Sequence, residues 1–421
     1  MAILRGIMPI TLDHSALRAT LGIRNFAVFT AGNSLSMVGT WVQRVAVGWL
    51  TWELTHSALW LGTVSMAEFI PSVFLAPIIG VMADRFDRRR IAVIGQMLAM
   101  VQALLLAGLT ISGHITAAII LALQIFSGVL QPMMQTARLV LVPTLVPREN
   151  LGHAIAVTSF TFNLSRIIGP AVAGALIAAF GAGYAFLLNG VSYFFVITAL
   201  VKLNLPPHQA VPSAHASLFG GIWTDFSEGL RYTFGHPGLR WVIFMITVSG
   251  VLTWPVTDFL AGIADHEFAR GVGGLAALAS AQGIGAVCGS IFLAQRKGSS
   301  GTAILVAWAV LLNGLSLAAF AVTKIFWLAL IILAANGMLL VMGGAGSQTV
   351  VQSEAAEHMR GRTLSIWFTL TRVGPALGAL GLGSLASIFG FTGPLLAAGL
   401  LAAAIASINW RGQHAAAPEH H

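Results

Sequence analysis

The sequence predicts an all-α integral membrane protein with twelve transmembrane helices in two six-helix halves, and three observations carry that expectation. Of its 421 residues, 57% are hydrophobic and only 9% are charged, and the mean hydropathy is +0.86, whereas soluble domains are near a quarter charged. Twelve apolar segments can be laid along the chain, each near the ~20 residues that cross ~30 Å of hydrocarbon. With the N-terminus taken as cytoplasmic, seventeen of the twenty-two lysines and arginines fall on the inner side, which is the bias that orients membrane proteins.

The first half is assigned to residues 1–203. Its opening stretch, Met1 to Ile23, carries Arg5 and Arg18 but no apolar core followed by a small-residue cleavage site, so a removable signal peptide is not expected. Spans are read at 25–50, 58–82, 91–112, 116–140, 152–180 and 184–203. After the second comes Gly80-Val81-Met82-Ala83-Asp84-Arg85-Phe86-Asp87-Arg88-Arg89-Arg90, six charges directly behind an apolar run. A charge at the bilayer centre costs ~2.5–3.5 kcal/mol on insertion scales, so this cluster marks where a helix meets water.

Residues 204–238 read as a cytoplasmic linker. Asn204 to Ala216 is rich in Pro, His and Ala, and Leu218 to Tyr232 then places Leu218, Ile222, Trp223, Phe226 and Leu230 on one helical face. That pattern predicts an amphipathic helix lying on the membrane surface. The second half, 239–412, holds spans at 239–262, 272–294, 301–322, 326–346, 362–388 and 392–410, and residues 413–421 are expected to form a disordered tail. Gln135-Thr136 recurs as Gln348-Thr349, Ala83-Asp84-Arg85 as Ala294-Gln295-Arg296, and Gly169-Pro170-Ala171 as Gly374-Pro375-Ala376. Offsets this similar point to two parallel repeats.

Several chemistries are excluded. One cysteine, Cys288, permits neither an internal disulfide nor a cysteine metal site. No G-x-x-x-x-G-K-[ST] phosphate loop, H-E-x-x-H or G-x-S-x-G occurs, so neither ATP hydrolysis nor another enzyme activity is expected. No metal or cofactor is implied. The net charge of +8 is distributed for a lipid bilayer and not for nucleic acid.

The spacing G-x-x-x-D-R-x-x-R-R from Gly80, together with Gly39 to Leu50, Pro143 to Asn150 and Gln348 to Arg362, resembles the major facilitator superfamily (MFS). Within it, the similarity is to a bacterial subgroup of enterobactin-type siderophore exporters and macrolide efflux pumps. The resemblance implies a monomeric transporter of the bacterial inner (plasma) membrane with both termini cytoplasmic. It would work by alternating access and export an amphipathic, drug- or siderophore-like molecule as a proton antiporter. A facilitator or importer of a small metabolite without proton coupling is the other reading. Two departures bear on coupling: the helix-4 arginine of many antiporters is absent from Gln124-Ile125-Phe126-Ser127-Gly128, and Thr161, Asn163 and Ser165 replace glycines of helix 5.

Candidate site residues follow. Under the fold that the resemblance implies, Asp84 after Gly80 meets the N-terminus of helix 11, whose free N–H groups favour an anion. Arg85 and Arg88 then pair with Asp84, Glu354 or Glu357 as a conformational latch, or else serve topology alone. Ionisable groups inside spans are costly unless paired or facing water. Arg44 and Glu68 lie at depths within roughly 6 Å of each other and are read as a pair, either structural or proton-responsive. Asp258, after Trp254-Pro255, is read either as a cavity group binding a proton or cationic cargo or as an exposed helix end. Arg166 and Arg372 are expected to snorkel to the inner surface. Trp41, Trp254 and Gln124 are assigned to the cargo cavity, Trp52, Trp60 and Trp327 to interfacial belts, and Gly169-Pro170 and Gly374-Pro375 to close packing with a possible hinge role.

Overall fold

The computed structural model describes residues 19–85, 87–203, 220–296 and 301–416, without the side chains of 76–78, 80–85, 88, 136–140, 220–225 and 409–416. Every regular element among the described residues is helical: α1 Arg24–Thr55, α2 Ala58–Arg85, α3 Arg88–Ile111, α4 Ala117–Leu145, α5 Leu151–Phe180, α6 Ala182–Lys202, α7 Gly220–Gly235, α8 Pro237–Leu252, α9 Val256–Gly262, α10 Gly271–Ala294, α11 Thr302–Val322, α12 Phe326–Glu354, α13 Arg360–Phe389 and α14 Thr392–Ala416. This is what a lipid solvent requires, because a helix satisfies its own backbone polar groups. Ten spans among the described residues are long and apolar enough to cross a membrane. Outside that set are α1, which carries Arg24, Arg44 and Glu53, and α14, whose apolar stretch is Thr392–Ile408.

Helix starts are set locally. The Asp87 side chain accepts hydrogen bonds from the backbone N–H groups of Arg89 and Arg90 and caps α3, and the Thr116 hydroxyl caps α4. Asp87 therefore has a helix-capping job inside the charged loop.

Helices α1 to α6 pack among themselves, as do α8 to α14, and two long seams join the sets: α2 along α13 and α5 along α10. Small residues make these approaches possible. A Cβ on Gly378 would collide with the Val251 carbonyl oxygen. That oxygen has lost its helical donor, because Pro255, four residues on, has no N–H. The expected single span 239–262 is accordingly broken into α8 and α9 by Thr253, Trp254 and Pro255, and a π turn, Ile263–Glu267, follows.

Helix α7 extends beyond lipid contact. Arg362 at the start of α13 donates to Glu228 at 2.8 Å, the Ala356 N–H donates to the Tyr232 hydroxyl at 3.0 Å, and Phe226 and Tyr232 pack beside Leu239, Val351 and Ile366. Leu218 and residues 204–216 of the predicted linker lie outside the described residues, as do the side chains of Ile222 and Trp223. At the other end α14 runs to Ala416, so residues 413–416, expected as tail, are helical; 417–421 lie outside the described residues.

Candidate functional site: a charged cavity between the two helix sets

A cavity of about 850 Å³, counted to its open mouth, lies between the helix sets. Arg44 and Glu68 sit on its wall roughly 15–17 Å from the outer ends of α1 and α2 at ~1.5 Å per residue, where "outer" follows the predicted orientation. Arg44 reaches across the cavity: its Nη2 lies 3.5 Å from Oδ1 of Asp258 in the first turn of α9. The Arg44 side chain is 36% exposed and that of Asp258 14%. The closed ion pair of Arg44 is therefore with Asp258, while Glu68, the partner expected from the sequence, acts on Arg44 only through its charge. Glu68 instead accepts a hydrogen bond from Gln131 Nε2 at 3.4 Å, and both Arg44 and Arg372 lie within its electrostatic reach. Asp258 is a cavity residue and not an exposed helix end. The Ser65 hydroxyl is close enough to act on its carboxylate yet closes no hydrogen bond of ordinary geometry.

Arg166 overturns another expectation. It sits midway along α5, too deep to reach the inner surface, and lines the cavity. Its guanidinium lies 5.5 Å from the centre of the Trp41 ring, and Arg44 stands 5.6 Å from the same ring. Trp41 is thus held by two cations, each contact worth ~0.5–2 kcal/mol, with Phe162 against its edge at 6.1 Å. Gly169 gives Trp41 its place, because a Cβ there would collide with the tryptophan's own Cβ. The backbone of Arg166 is fixed from the other helix set: a Cβ on Gly283 would strike its carbonyl oxygen, and Ser280 donates to the Ile167 carbonyl at 3.3 Å.

Gln124 also lines the cavity, and its buried Oε1 has no hydrogen-bond partner. Trp254 does not line it. The ring packs near Gly344, with its Nε1 buried and unpartnered, because the break at Pro255 turns it toward α12. Pro170 borders the cavity, whereas Pro375 packs on Gly250 and is a helix-contact residue.

The latch residues separate into two groups. The side chains of Gly80, Asp84, Arg85 and Arg88 lie outside the described residues. Glu357 is exposed, and Glu354, also exposed, places its carboxylate against Gly238 at the start of α8. At the outer end a closed contact is present that the sequence analysis did not anticipate. Trp52 is only 5% exposed and donates from Nε1 to Asp265 Oδ2 at 2.9 Å, with the Phe391 ring packed against it at a tilt of 52° and 5.7 Å between ring centres. Trp52 therefore joins the two sets and is not an interfacial belt residue, whereas Trp327, 67% exposed, has the exposure expected of one.

Sequence reasoning also missed the buried amides. Asn189 donates to Gln43 at 2.8 Å, and Gln43 donates to Gln102 at 3.0 Å. In the second set Thr257 donates to Gln282 at 3.2 Å, and Gln282 donates to Asn336 at 3.1 Å. Asn336 in turn meets Asn313 at 3.5 Å and Ser316 at 3.3 Å. The available signal was an Asn or Gln near the middle of α1, α3, α6, α10, α11 and α12, a polar group that lipid cannot satisfy.

Two helix sets joined along paired seams, enclosing a charged cavity at mid-membrane depth, define an MFS-type membrane transporter of small molecules and not an enzyme. The chain belongs to the MFS_3 family, transmembrane secretion effectors, whose family model matches residues 15–419. It is 26% identical over 368 residues to the enterobactin exporter EntS of Shigella boydii serotype 4, covering 86% of this chain and 85% of that one. It is 25% identical over 382 residues to the multidrug efflux pump Tap of Mycolicibacterium fortuitum, covering 89% and 91%. Among solved structures, the nucleoside transporter NupG superposes with a TM-score of 0.68 at 12% identity, covering 92% of this chain and 98% of NupG, which is a likeness of fold.

Proposed function

We infer that this protein is a secondary active exporter of the bacterial inner membrane that moves an amphipathic small molecule by alternating access, with proton movement driving export. Twelve spans in two six-helix bundles, with both termini cytoplasmic and the monomer as working unit, complete the reading. The observation that carries it is the Arg44–Asp258 bridge, an ion pair in the cavity wall that ties α1 of one helix set to α9 of the other. Protonating Asp258 removes the carboxylate that holds Arg44 and weakens the bridge, so the protonation state of one residue is linked to how the sets are joined. The Trp52–Asp265 contact closes the outer end, and the inner loop containing Asp84 serves as its counterpart when the sets rock. Export, and not import, is supported by the full-length similarity to EntS and Tap.

Inverted vesicles with an imposed pH gradient test this directly. Wild-type protein should accumulate a transported dye or drug only with the gradient, while Asp258→Asn and Glu68→Gln should lose accumulation yet keep cargo exchange. Gradient-driven accumulation in both variants would remove these carboxylates from coupling.

A further inference from the structure

Arg166 carries a charge that the protein leaves uncompensated. It lines the cavity at the midpoint of α5, and among the described residues it reaches no carboxylate within ion-pair distance and closes no hydrogen bond. The nearby charge acting on it is that of Arg44, which is cationic. Arg44 has Asp258, and Arg372 has Glu68 within electrostatic reach, so only Arg166 among these three arginines lacks an acid. A guanidinium at membrane depth is costly unless something satisfies it, and five N–H donors in a planar fork match a carboxylate. The same cavity is lined on its apolar part by Val45, Leu61, Val64 and Leu275, and on its polar part by Glu68 and Asp258 among others. Trp41 presents its ring to two guanidinium groups and so helps hold Arg166 in position.

We propose that the cargo is an amphipathic organic anion whose carboxylate is received by Arg166 while its apolar body lies against the apolar part of the wall. This rests on the transporter reading and narrows its cargo class, and it replaces the expected cationic cargo. Asp258 is occupied with Arg44, and a cation entering beside Arg166 would meet repulsion.

The test uses purified full-length protein in lipid nanodiscs and two fluorescent probes of one skeleton, pyrenebutyrate and its neutral amide, with binding followed by anisotropy. A charge-assisted contact predicts that wild type binds the carboxylate roughly tenfold to a hundredfold more tightly than the amide. Arg166→Gln should erase that preference while leaving amide binding within about twofold, which shows that the cavity is still folded, and Arg166→Lys should restore part of it. Equal affinities in wild type, an undiminished preference in Arg166→Gln, or binding of neither probe would each overturn the proposal. Counterflow of the bound probe in liposomes scores the transport reading separately: no counterflow with an intact charge preference removes that reading alone, and counterflow without a preference removes the anion site alone.

Discussion

Each helix set contains a cluster of buried amide side chains, but the two clusters end in different places. Gln43, Gln102 and Asn189 bond to one another across α1, α3 and α6, with a further donation from Gln102 to the Leu123 carbonyl, and none of the three lines the cavity. In the other set Gln282 lies on the cavity wall and connects inward through Asn336 to Asn313. Its Oε1 accepts from Thr257, the neighbour of Asp258. The first cluster pins helices within one set. The second continues that pinning out to the cavity wall, so a hydrogen-bonded path runs from Thr257 and Gln282 to α11 and α12. Chemically alike clusters can therefore differ in role through where their last hydrogen bond goes.

The largest effect is expected where the wired cluster meets charge. Asp258→Asn removes the carboxylate that closes an ion pair with Arg44 and leaves only the more loosely placed Glu68 within its electrostatic reach. Breaking one side of a buried pair costs ~3–5 kcal/mol, and the partial exposure of Arg44 reduces the expected loss to roughly 2–3 kcal/mol. Thermal unfolding in detergent should show the double variant Arg44→Gln with Asp258→Asn recovering much of that loss, and strictly additive losses would mean that the two residues are not coupled.

Next is Asn336→Leu, which removes a hub bonded to Gln282, Asn313 and Ser316. Interhelical hydrogen bonds in membranes average ~0.6 kcal/mol and reach ~1.7, so the sum is about 2 kcal/mol. Transport per folded molecule should fall with it. Asn189→Leu, the matching change in the sealed cluster, should cost about 1 kcal/mol and leave the transport rate per folded molecule unchanged. Equal transport losses at matched protein levels would erase the distinction between the clusters. Smallest is Thr257→Val, at roughly 0.5 kcal/mol, which is expected to alter cargo KM more than stability. A KM at the wild-type value would place the end of the wiring at Gln282.

Hydropathy located the helices well because span length and loop charge are one-dimensional properties. The prediction of 272–294 against the observed Gly271–Ala294, or 152–180 against Leu151–Phe180, shows how little beyond composition was needed. The site was less legible because depth along a helix does not state azimuth. Arg44 and Glu68 have matching depths, but the break at Pro255 swings Asp258 toward Arg44 from the other helix set, a rearrangement that span counting treats as one continuous helix. Arg166 was legible in principle, since its mid-span depth already opposed snorkelling, but its pairing with Trp41 depends on two helices that are far apart in sequence. Asn and Gln in spans carried a usable signal, because each must find a partner inside the bundle.

The closure at the outer end also has an optical consequence. An indole that is buried and donating to Asp265 is shielded from aqueous quenchers, and an indole in water emits at longer wavelength than one in an apolar packing. Trp52 therefore reports on its own contact: in a background where the other ten of the eleven tryptophans are replaced by phenylalanine, emission colour and iodide accessibility would read the separation of α1 from the π turn in real time.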